Sequence, residues 1–211
     1  MKRLRLLLPV ILFILGNPVL SAHAATVTIV NLDGIGEGFN DPAPFTQVGG
    51  NVAGTLGQAR LNAFQYAANL VGGLLNSNVV IVVEAKMDPL GGDASSAILG
   101  AAGPNSALRD FPSAPSAGTW YVSALANKLN GSALNPGVAD IGATFNSDVD
   151  NSTVLGANSW YYGLDGNPPV GDIDFVSVVL HELTHGLGFL ALVDLDTGTK
   201  LLGYNDAFMR Y

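Results

Sequence analysis

The chain has 211 residues, no cysteine and a formal net charge of −8 at pH 7. That acidic balance argues against a nucleic-acid partner, whose phosphates call for a basic face. With no thiol for disulfides, an exported form must be held together by burial, by metal, or by both.

At the N-terminus, Lys2, Arg3 and Arg5 precede an apolar run from Leu6 to Leu15, a Gly16-Asn17-Pro18 break and then Ala22-His23-Ala24, an A-x-A cleavage site. Residues 1–24 are therefore expected to be a secretory signal peptide and residues 25–211 the mature domain, secreted to the extracellular space or the periplasm. The apolar run is too short to cross a bilayer comfortably. No later segment is a candidate span, so no membrane span is expected after cleavage. Removing the signal leaves 187 residues with six Lys plus Arg against seventeen Asp plus Glu, a net charge of −11. A chain of that length can bury one core.

Thr26 to Asn31 is β-branched and alternating, a short first strand. After a Gly/Asp/Pro-rich stretch to about Gly54, Leu61, Phe64, Ala68, Val71 and Leu75 recur at helical spacing and predict a long helix packed on one face. Asn76-Ser77-Asn78 ends it. Val79 to Val83 is a compact apolar run leading into Glu84-Ala85-Lys86-Met87, a core strand with a polar exit. From Asp88 to Gly118 the chain is mostly Gly, Ala, Ser and Pro and reads as a long structured loop. Trp120 to Leu129 suggests a short helix, Ala139 to Phe145 a strand, and Trp160 to Asn167 an aromatic strand entering a turn. The order implies an α/β chain in the α+β sense, a sheet backed by helices.

The most specific signal follows, in His181-Glu182-Leu183-Thr184-His185. Residues four apart on a helix share a face, so both imidazoles can address one zinc ion. Glu182, about 100° round from His181, is poorly placed as a ligand and well placed as a general base for a zinc-activated water attacking a carbonyl. Val176, Leu180, Leu183 and Leu187 line the opposite side of this helix, Asp172 or Asp174 can cap its start, and Gly186 with Gly188 can stop it. No other histidine remains in the mature chain.

The stretch His181 to Phe189 resembles the motif of the zincin metallopeptidases, with His181, Glu182, His185 and Gly188 matching the metzincin form and His185-Gly186-Leu187-Gly188-Phe189 similar to the leishmanolysin-like enzymes. The stretches Ala126-Asn127-Lys128-Leu129, Asp140 to Ser147 and Trp160 to Asn167 are similar to a group of exported bacterial zinc peptidases. The resemblance implies a zincin-like catalytic subdomain, a mixed sheet backed by a long helix and the metal-binding helix. It also implies a Zn²⁺ cofactor, and a peptide or protein substrate that pairs with an edge strand, either Ala139 to Phe145 or a neighbour; the other reading of Ala139 to Phe145 is a plain core strand.

At the position of the metzincin's last ligand stands Ala191, which cannot coordinate. Asp194, Asp196 and Asp206 are the acidic residues after the motif and the candidates for a third ligand, alongside a residue beyond Tyr211. Only 22 residues follow Phe189, short for a zincin's lower half, which leaves open a truncated enzyme. Tyr161, Tyr162, Tyr204 and Tyr211 are candidate donors to an oxyanion or packing aromatics. Asp148, Asp150 and Asn151 have the oxygen density of a Ca²⁺ loop or of an ordinary polar turn. The functional expectation is an exported zinc-dependent endopeptidase. The alternatives are a catalytically silent secreted binding domain derived from a peptidase, and a structural module whose histidines hold no metal.

Overall fold

A computed structural model describes residues 24–210. Its elements in chain order are β1 (Val27–Asn31), α1 (Leu56–Leu74), β2 (Ile81–Asp88), β3 (Gly100–Pro104), β4 (Ala107–Leu108), β5 (Thr119–Val122), α2 (Ser123–Asn130), β6 (Ile141–Asn146), β7 (Trp160–Tyr161), β8 (Ile173–Asp174), α3 (Phe175–Gly186) and β9 (Asn205–Asp206), with four short 3-10 turns. The class is mixed α+β, as the sequence implied. The secretory-signal reading falls on residues outside those described. Among the described residues no helix is long and apolar enough to cross a membrane.

The main sheet runs β1-β2-β6-β3. β1, β2 and β6 are mutually parallel, and β3 is antiparallel to β6. A parallel pair needs a crossover, which α1 provides between β1 and β2. Alternation puts Ile81, Val83, Ala85 and Met87 of β2 on the buried face. There they join Phe64, Ala67 and Ala68 of α1 and Phe175, Val179 and Leu183 of α3 in one core.

Thr55 starts α1 by accepting the Gln58 N–H. Phe64, Ala68 and Val71 of the predicted stripe are buried, whereas Leu61 and Leu75 lie at its margin. Ala59, Ala63 and Ala67, outside that stripe, are fully buried as well, so the helix buries a wider face than the stripe alone. Arg60, also buried, donates to Gly38 O, Tyr162 Oη and Asp150 Oδ2 at 2.7, 3.1 and 2.7 Å. A charge in the core is tolerable only with such pairing.

Two expectations are corrected. The stretch from Asp88 to Gly118 is not all loop, since it contains β3 and β4. The helix expected from Trp120 begins at Ser123, because Thr119–Val122 pairs with β4 and β9 as a strand. Of the two readings of Ala139 to Phe145, the core strand is the one found: β6 lies inside the sheet, and its neighbour β3 is an edge.

Candidate metal centre

The motif helix is set in place before its histidines are reached. Asp174 caps it through Oδ2, accepting from Ser177 N at 3.1 Å and from the Ser177 hydroxyl. Asp172 instead accepts the Ser159 N–H. Asp174→Ala should cost about 1 kcal/mol of stability, read by urea denaturation, with Asp174→Asn restoring most of it. One residue on, Phe175 is fully buried with its ring 5.1, 5.1 and 5.2 Å from those of Phe145, Trp160 and Tyr162.

The buried stripe of α3 is Phe175, Val176, Val179, Leu183 and Gly186. Leu180 and Leu187, expected inside, are only partly covered. Gly186 allows the end of the helix to lie on β6, since a Cβ there would stand 2.5 Å from Ile141 Cγ2. Gly186→Ala should therefore lower stability by about 1–3 kcal/mol through overpacking, measurable as a reduced urea midpoint at unchanged slope. Gly188, at φ +112, then turns the chain in a conformation that side chains disfavour.

That turn brings the Phe189 carbonyl to 2.8 Å from His185 Nδ1. A carbonyl oxygen only accepts, so the ring proton belongs on Nδ1 and the Nε2 lone pair is free to bind a cation. His185 Nε2 lies 3.0 Å from His181 Nε2, the two rings nearly perpendicular at 81°. Two lone pairs at that separation repel unless a proton or a cation lies between them. Nitrogens so placed can both reach a zinc at about 2.0–2.1 Å, so the pair fits two of a zinc ion's ligands.

Glu182 stands next to them, half-buried, with Oε2 accepting the Ala102 N–H of β3 at 2.9 Å. A cleft of about 390 Å³ opens beside it, lined by Leu99, Gly100, Ser177, Val178, His181 and Glu182. Its walls are therefore the edge strand and the motif helix.

Among the described residues no group of three His, Cys, Asp or Glu side chains is arranged to hold a metal. Asp194 accepts from the Thr197 hydroxyl, Thr197 N and Asp196 N, contacts that, the first above all, hold its carboxyl below the usual carboxylate range. Asp196 is exposed in the same turn. Asp206 is buried and accepts the Leu192 and Met209 N–H groups, tying the C-terminal segment together.

The tyrosines considered as oxyanion donors have other partners. Tyr161 donates to Asp165, a bond that, with burial, pushes its phenol up to about 12. Tyr162 is raised well above 10, first by burial, and donates to Asp150. The Tyr204 ring lies 4.0 Å from the Arg109 guanidinium, and Tyr211 falls outside the described residues. In the loop considered for Ca²⁺, Asp148 accepts Gly91 N–H and Asp150 pairs with Arg60, while Asn151 turns its side chain to Thr153 N.

The feature absent from the sequence reading is β3, whose Ala102 amide meets the motif glutamate. Its Gly-Ala-Ala-Gly-Pro composition carries no alternation that would mark a strand.

No protein-family model, curated protein sequence or solved structure matches this chain.

Proposed function

We propose that the protein is an exported zinc-dependent endopeptidase, with His181 and His185 as metal ligands and Glu182 as general base. The observation that carries this reading is the convergence of the two Nε2 atoms to 3.0 Å beside a carboxylate at the mouth of a cleft. A bound zinc would supply Lewis-acid polarisation of water and of the peptide carbonyl.

The protein's own groups do the rest. His185 keeps its lone pair on the metal side through the Phe189 carbonyl. Glu182, held at Oε2, takes the proton of the attacking water at Oε1 and returns it to the departing amine. The outer edge of β3 accepts an extended peptide by strand addition, and the cleft between Leu99, Val178 and Ser177 takes one of its side chains. Leu99 and Val178 favour an apolar side chain at that position.

The test is cleavage of an unstructured protein such as casein by the zinc-loaded chain. Activity should disappear with 1,10-phenanthroline and return with added zinc. Bound zinc without cleavage would overturn the peptidase reading in favour of a silent zinc-binding domain. That alternative draws on the engagement of Asp194 and Asp206 with backbone donors.

A further inference from the structure

The register of β3 divides its backbone groups into two sets. Asn146 N–H bonds to Leu99 O and Asn105 N–H to Asp140 O, and between them the antiparallel pairing runs from Gly100↔Phe145 to Pro104↔Ile141. Hydrogen-bonded pairs alternate with unbonded ones in such a ladder. Leu99, Ala101, Gly103 and Asn105 therefore turn their N–H and C=O groups toward β6, and Gly100, Ala102 and Pro104 turn theirs to the open edge. Proline has no N–H, so the outward amides of this stretch are those of Gly100 and Ala102. The second of these meets Glu182 Oε2 at 2.9 Å.

We propose that the Ala102 N–H is a positioning donor for Glu182, and that a peptide bound along β3 pairs with the groups left over, namely Gly100 N–H, Gly100 C=O and Ala102 C=O. An unrestrained glutamate on a helix samples several rotamers. A charge-assisted bond from a rigid strand selects one of them and directs the second oxygen into the cleft. One strand thus serves both purposes: the outward amide that the base occupies is withheld from substrate, which sets where along the edge the peptide can sit. The functional half of this inference rests on the peptidase reading, whereas the contact itself does not.

The test replaces Ala102 by proline in the full chain. The lost N–H lies outside the ladder, so no sheet bond is removed, and proline is tolerated at such edge positions. On a fluorogenic peptide, Ala102→Pro should lower kcat about tenfold while KM changes by less than about twofold. An unchanged kcat, or a rise in KM alone, would overturn the positioning role.

A second measurement holds even if that variant fails to fold. Residue-resolved amide hydrogen exchange on the wild-type chain, without added metal, should show Ala102 protected at least about tenfold more than Gly100. Glu182→Ala should bring Ala102 to the Gly100 level. Equal exchange at the two amides in the wild type, or protection of Ala102 that survives Glu182→Ala, would refute the contact. If the wild-type chain cleaves no peptide, the peptidase reading falls together with the positioning role, and the exchange pattern still decides whether the bond exists.

Discussion

Glu182→Gln should cut peptide hydrolysis by about 10²–10⁴-fold while zinc binding stays at about one equivalent. The substitution keeps the side chain's shape, and its amide oxygen can still accept from Ala102 N–H, so the helix-to-strand contact at 2.9 Å persists. What is lost is the ability to take a proton at neutral pH. Because the two histidines are untouched, metal content and turnover should separate cleanly. A variant that keeps more than about a tenth of the wild-type kcat would show that the carboxylate is not the base.

Phe175→Ala should be the most damaging core substitution near the site, costing about 3–5 kcal/mol. Phe175 is fully buried and contacts three aromatic rings from β6 and the segment around β7, all edge-on. It also begins α3 directly after the capping Asp174. Removing it leaves a cavity where the helix is anchored to the sheet, and its neighbours are themselves packed too tightly to collapse into the space. For a domain of this size the loss corresponds to a melting temperature lower by roughly 6–20 °C. Phe175→Leu, which retains most of the volume, should recover more than half of it. Calorimetry of the two variants checks both statements, and a shift below about 2 °C for Phe175→Ala would mean that the cluster is not holding the helix.

The parts of this fold legible in the sequence are those whose signal is local. The five residues His181 to His185 specify their own geometry, because the helical repeat alone places the two imidazoles together. The long helix is legible in Phe64, Ala68 and Val71, whereas the burial of Ala59, Ala63 and Ala67 is not, since alanine signals neither exposure nor burial. Strand β6 was visible from its β-branched and apolar residues. Its place inside the sheet was not, because that depends on β3, whose Gly100-Ala101-Ala102-Gly103-Pro104 run becomes a strand only by pairing with β6 and meeting Glu182.

The same limit applies to the candidate site's surroundings. Nothing near Asp150 in sequence reveals that its partner is Arg60, ninety residues away. Nor does the stretch around Asp206 reveal that its carboxylate closes a backbone turn at Leu192. An acidic residue in a loop looks the same on paper whether it binds a cation, an arginine or two amides, and only the folded neighbourhood separates these cases. The Phe189 carbonyl on His185 could have been anticipated in part. A glycine two residues past the motif helix permits a reversal that returns the backbone to the second histidine.

The proposed function requires that the two converging imidazoles hold a zinc ion. Equilibrium dialysis of the purified chain against buffered zinc, beside His181→Ala and His185→Ala, is the decisive check. About one equivalent of zinc is expected in the wild type and less than about a tenth of that in either variant. Zinc content indistinguishable among the three proteins, or absent from the wild type, would contradict it.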